Sequence, residues 1–228
     1  MARLKIHSVT QILLLVVVCV TSAVIGFALR NNNASDPKPN QPSTLQQSDE
    51  KVIERQEFPS EPFDIGDLSV KEVQILPGQK FNVRTVAESE EWLDNLKFTI
   101  KNKWDKQIIF IHIDLLFPET FAAGSPLMKG KIDIGVHPQA TGNAKRFGKS
   151  LSLNPGETFT YTLSKQWLGE IKKFLGENGF QLANLNKVVI KVSTICFNDD
   201  TAWIEGNWFK HNPNNSTTPG GYEKINRP

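Results

Sequence analysis

Two cysteines, four histidines and two tyrosines in 228 residues leave little material for covalent cross-linking or for acid-base chemistry. Cys19 sits in an apolar N-terminal run and Cys196 in a strand-like segment, so no disulfide can form inside the folded part. An exported domain of this kind must stand on its core alone, which its length allows. The chain has no G-x-S-x-G elbow, no H-E-x-x-H helix, no Walker loop, no G-x-G-x-x-G and no C-x-x-C. Those absences argue against the common hydrolase, zinc-protease, nucleotide-binding and thiol-redox classes, and neither a cofactor nor an enzymatic activity is expected. Charge of neither sign dominates: 26 Lys and Arg stand against 24 Asp and Glu, for a formal charge of +2. Such a balance gives no reason to expect a nucleic-acid partner.

What is present begins with an address. Arg3, Lys5 and His7 precede an apolar run over residues 12–29, broken only by Thr21, Ser22 and Gly26. A helix of that length spans roughly 27 Å, enough to cross a bilayer. The run reads either as a signal anchor or as a cleavable signal peptide, since small residues at Thr21-Ser22-Ala23 and Gly26-Phe27-Ala28 offer peptidase sites. Val16, Val17 and Val18 precede Cys19, where lipid attachment would need a small residue, so Cys19 is read as membrane-embedded. The expected topology is single-pass with the N-terminus inside and the domain extracytoplasmic, or secreted if the leader is cut. Residues 31–62 are rich in Asn, Pro, Ser and Gln and are expected to be a disordered polar linker. The organisation expected is therefore a leader over 1–30, the linker over 31–62, one domain over 63–209 and an irregular tail over 210–228.

Within the domain the stretch 96–117 organises the rest. Leu96, Phe98 and Ile100 alternate with Lys97, Thr99 and Lys101, the period of a strand with one buried and one wet face. Residues 108–117 are apolar on both faces and predict a central strand. The polar residues 102–107 between them predict a hairpin turn. Further strands are expected over 69–76, 81–86, 130–136 and 158–163, with Pro77-Gly78 and Pro155-Gly156 as turns. A second central strand is expected over 187–197 and a last one over 201–209 with a bulge at Gly206. Ser164 as N-cap, Trp167, Leu168, Ile171, Phe174 and Leu175 on one face, and Gly176 as stop predict one helix that plugs the core.

Candidate sites are few. His112 and Asp114 lie two residues apart on one strand face and offer two metal ligands, with His137 as a third, or else an ordinary polar pair. Asn198, Asp199, Asp200 and Glu205 set oxygens around a turn, where they serve either calcium or the turn's own backbone. Trp104 in the polar turn and the Trp203 and Trp208 pair either pack over the sheet edge or into the core, or else are the candidate contacts for a sugar ring or a partner protein. Lys101 and Lys103, in line with Lys97, add a basic stripe that meets an anionic ligand or simply guards a strand edge.

The apolar leader, the polar linker, the two Pro-Gly turns and the closing pattern from Phe197 through Asn198, Asp199, Asp200, Thr201 and Ala202 to Trp203, with Gly206, resemble exported bacterial proteins with an immunoglobulin-like or fibronectin-like sandwich. That resemblance implies a mainly β, antiparallel sandwich with one short crossover helix behind an N-terminal transmembrane or signal helix. It implies no active site. The expected role is a non-enzymatic interaction module with a protein partner, held to the membrane through residues 12–29. The alternatives are a carbohydrate-binding module using exposed tryptophans and, third, a metalloprotein or enzyme.

Overall fold

Strands with apolar residues on both faces occupy the middle of the structure, a computed structural model that describes residues 50–82, 91–140, 149–212 and 221–228. β6 (Ile108–Phe117) and β9 (Lys187–Phe197) pair antiparallel. Ile111, Ile113 and Leu115 of the first and Val188, Ile190 and Val192 of the second are all buried between the layers. β7 (Met128–Gly135) flanks β6. The other side of β9 is shared between two strands. Its first half pairs with β1 (Glu50–Gln56), and its second half with β10 (Thr201–Ile204). β4 (Lys80–Asn82) lies outside β1, while β11 (Asn207–His211) and β12 (Tyr222–Ile225) lie outside β10. A smaller sheet runs in the order β3 (Val73–Gln74), β2 (Phe63–Val70), β5 (Lys97–Asn102), β8 (Thr158–Thr162). Its Phe63, Phe98 and Ile100 join the residues of the larger sheet in a single core. The protein is thus mainly β, with two sheets facing each other across one apolar layer.

Two short helices and a 3₁₀ turn, Leu182–Asn184, lie at one end of the sheets. α1 (Pro118–Ala122) follows β6 directly, and α2 (Lys165–Glu177) follows β8. Ser164 caps α2 by accepting from the Trp167 amide at 3.2 Å, and Leu168, Ile171 and Leu175 are buried beneath it. A Cβ added at Gly130 would lie 2.6 Å from Trp167, so the glycine is what lets this helix close on β7. The helix falls one residue from its expected span.

Four expectations change. The polar segment 102–107 is a corner between sheets and not a hairpin turn: β5 belongs to the smaller sheet and β6 to the larger. Asn102, fully buried, fixes this corner, donating from its amide to Lys106 O at 2.8 Å and Leu153 O at 2.9 Å and accepting from the Trp104 amide at 2.9 Å. Secondly, β1 falls inside the stretch 31–62 expected to be disordered linker, and it pairs parallel with β9, so the larger sheet is mixed and not purely antiparallel. Ile53 is fully buried, and Lys51 is buried with its Nζ bonded to Ala183 O, Leu185 O and Asn186 Oδ1. Thirdly, β11 runs to His211 and β12 pairs with it, so 210–228, expected to be an irregular tail, contains strand at 210–211 and 222–225. Finally, Glu205 and Gly206 are the two-residue turn of a hairpin and not a bulge. Both have positive φ, 46° and 87°, which matches the twist of the paired strands. The expected membrane span at 12–29 and the end of the expected strand 81–86 lie outside the described residues. Among the described residues no helix is long and apolar enough to cross a membrane.

Candidate functional site

His112 and Asp114 of β6 project from the outer face of the larger sheet, where β7 brings Asp133 and β9 brings Ser193. His112 Nδ1 lies 2.5 Å from Asp133 Oδ1, and its Nε2 lies 3.4 Å from Asp114 Oδ1. Ser193 Oγ donates to Asp114 Oδ2 at 2.5 Å, and Lys129 Nζ stands 3.3 Å from Asp114 Oδ1. The hydrogen bonds to Asp114 and then Asp133 raise the His112 pKa from 6.5 to about 9, so the imidazolium form prevails at neutral pH. Burial opposes the charged form of Asp114, but His112, Ser193 and Lys129 together hold its carboxyl below the usual range. An imidazolium with both nitrogens engaged has no lone pair for a metal or for proton abstraction. The pair expected as ligands is therefore an ion-paired network, and among the described residues no cluster of His, Cys, Asp and Glu is arranged to hold a metal.

The network has a consequence for stability. The folded pKa of His112 lies above its unfolded value, so the stabilisation is fully present below about pH 6.5 and is lost as pH rises through about 9. The urea midpoint of the protein should fall over that window, and a His112→Gln variant should lack this part of the fall. Equal slopes in the two proteins would show that the network contributes nothing.

The turn 198–200 uses its oxygens on itself. Asp199 accepts from the Thr201 amide at 3.2 Å and from the Thr201 hydroxyl at 2.6 Å, and it pairs with Lys106. Asp200 adopts a positive φ of 66° and its carbonyl accepts from the His211 amide at 2.8 Å. Glu205 pairs with Lys191 at 2.6 Å, so the four expected calcium oxygens are not gathered on one centre.

The tryptophans divide. Trp203 is fully buried and Trp208 nearly so, sitting opposite each other in the β10–β11 ladder and facing the core. Neither presents a ring to a sugar; both take the core-packing alternative. Phe58 and Phe63 meet the Trp203 ring edge-on at 5.6 and 5.4 Å. Trp104 is half-buried, its ring 4.7 Å from that of Trp208 and 4.9 Å from the Arg227 guanidinium. With Lys103, Glu61 and Asp64 it lines a cleft of about 400 Å³. Lys103 pairs there with Asp64 at 3.0 Å, while Lys101 stands exposed on β5.

The larger concavity is a groove of about 600 Å³, and of its lining residues only His137 was among the expected site residues. Phe110 and Ile134 line it from the larger sheet, Val136 from just beyond β7, and Phe159 and Tyr161 from β8, with Leu151 between. It runs between two strand edges: β7 pairs only with β6 and β8 only with β5 among the described residues. Asp133 and His137 also line it. His137 Nδ1 accepts from the Gln139 amide at 3.2 Å, and its ring meets Phe110 edge-on at 4.9 Å. Burial first of all lowers the His137 pKa, leaving the ring neutral at pH 7. Burial likewise pushes the Tyr161 phenol up to about 12. Cys196 lies close by under Phe110 and Ala202, its thiol raised to about 11 by burial and hence inert. The alternation of Ile132 and Ile134 in the sequence already placed Asp133 on the outer face with His112. The groove had no such signal, because its two walls are strands far apart in the chain.

Compared with protein-family models, with curated proteins and with solved structures, the chain gives no match.

Proposed function

We propose that this is a non-enzymatic, extracytoplasmic interaction module of immunoglobulin-like type, tethered to a membrane through residues 12–29, and that it receives an apolar segment of a partner protein in the groove between β7 and β8. The groove supports this reading: aromatic and aliphatic side chains line it, and it is flanked by edges of β7 and β8 that pair with no further strand among the described residues, Lys131 O of β7 alone accepting from Trp167 Nε1 at 3.0 Å. An extended peptide gains main-chain hydrogen bonds from such an edge and side-chain burial from such a wall. The glycan reading has lost two of its three rings to the core, and Trp104 keeps its ring against Trp208 and Arg227.

Affinity purification of the tagged full chain from native membranes in mild detergent tests the proposal. One protein should accompany the wild type in near-stoichiometric amount, be lost at least tenfold with Phe159→Asp, and remain with Trp104→Ala. Retention with Phe159→Asp, or loss with Trp104→Ala alone, would move the contact away from the groove.

A further inference from the structure

The loop between β6 and β7 exposes apolar side chains and yet is held firmly. Phe121 is 69% exposed and Leu127 45%. Beneath them Thr120 is fully buried, its hydroxyl donating to Phe117 O at 2.7 Å and accepting from the Met128 amide at 3.0 Å. The Glu119 carboxylate accepts from the amides of Asn186 at 2.9 Å and Lys187 at 3.1 Å. Gly124 and Ser125 donate their amides back to Phe121 O and Thr120 O. A large aromatic ring held in water on a braced loop exposes apolar area with no slack to fold it away.

The position of the loop selects its occupant. β1 runs parallel to β9, with Val52 opposite Lys187, so the chain enters the fold at the Lys187 end of β9. Phe117 and Met128, which bound the loop, pair at that same end, where Glu119 grips Lys187. α2 also crosses there, packed on Gly130, and exposes Phe174. The turns at the opposite end, 103–107, 154–157 and 198–200, contribute none of the exposed large apolar side chains of the described residues. Between Leu29, the end of the apolar run, and Glu50 lie about 20 residues, with an extended reach of at most roughly 70 Å. Whatever surface the leader sits in is therefore joined to the fold at this end and lies within that reach of it, at high effective concentration.

We propose that the loop 118–127, with Phe121 and Leu127 at its tip, is a lipid-facing contact that rests in the interfacial layer of the membrane holding the leader. Phenylalanine and leucine side chains enter that layer readily, and a braced loop loses little freedom in doing so. This inference rests on the anchored reading above. It adds an orientation: the helical end of the domain faces lipid and the 103–107 end faces away.

The full chain, with Cys19→Ser and a nitroxide label at Phe121→Cys or Asp105→Cys, is reconstituted into phosphatidylcholine and phosphatidylglycerol vesicles. The accessibility of each label to oxygen and to a water-soluble nickel complex is then measured. Near-ultraviolet circular dichroism of both labelled proteins should match the parent, and buried Cys196 should remain unlabelled. The label at 121 should be at least threefold more accessible to oxygen than to nickel, and the label at 105 the reverse. Equal, water-like accessibility at both positions in protein that resists alkaline carbonate extraction would overturn this contact and leave the anchor standing. Shielding of position 121 from both reagents would place protein, not lipid, over the loop and overturn it as well. Release of the protein by carbonate would overturn the anchor, and this inference with it.

Discussion

A chain that starts at Phe63 should fail to fold, whereas one that starts at Leu45 should unfold cooperatively. The polar composition of 31–62 invites the shorter boundary, but β1 lies between β4 and β9 in the larger sheet. Its loss removes Ile53 from the core, which alone costs about 2–5 kcal/mol for a buried residue of this size. It also strips the Lys51 ammonium from the buried Leu185 O and from the part-buried Ala183 O and Asn186 Oδ1, and a buried acceptor left unpaired costs about 1–3 kcal/mol. The edge of β9 from Lys187 to Lys191 would lose its ladder, as would β4. Together these approach the whole stability of an ordinary domain, about 5–15 kcal/mol. Circular dichroism and urea titration of the two fragments would check it. A shared midpoint would show β1 to be dispensable.

Truncating Trp203 to alanine should cost on the order of 3–5 kcal/mol, the usual range for a large aromatic ring deep in a core. Phe58 and Phe63 would each lose an edge-to-face partner. Replacing the same residue with phenylalanine should cost far less, about 1–2 kcal/mol. Trp203 Nε1 is buried without a hydrogen-bond acceptor among the described residues, so the smaller ring removes an unpaired donor along with some volume. Urea unfolding of the two variants separates the terms. If both lose equally, Nε1 has an acceptor in solution and the ring's contribution lies mainly in that bond.

The parts of the fold that were legible are those where one strand or helix decides the matter by itself. β6 and β9 announce themselves because apolar residues dominate both faces, and α2 because Ser164 and its apolar face agree, although the helix continues through Gly176, expected as its stop, to Glu177. What was not legible depends on partners distant in sequence. Residues 102–107 look the same as a hairpin turn and as a corner between sheets; the difference lies in the bonds of Asn102, from its side chain to Leu153 and through its backbone with Gly156 and Glu157. β1 reads as linker because its buried lysine is hydrogen-bonded by carbonyls more than 130 residues away. Glu205-Gly206 is a weaker turn signal than Asn-Gly, and without it Trp203 and Trp208 seemed to belong to one strand. For the site, His112 and Asp114 were found but their roles were decided by Asp133, Ser193 and Lys129, which register alone supplies. The groove belongs wholly to the pairing of distant strands.

The claim that this domain works by holding a partner segment between β7 and β8 is tested most directly by photo-crosslinking. A benzophenone amino acid is placed at Phe159, at Trp104 or at Asp105 of the full chain in its native membrane. We expect one discrete protein adduct from position 159 and none from 105 or 104. Absence of an adduct at 159 with a discrete one at 104 would contradict the account and return the search to the cleft of Lys103, Asp64 and Arg227.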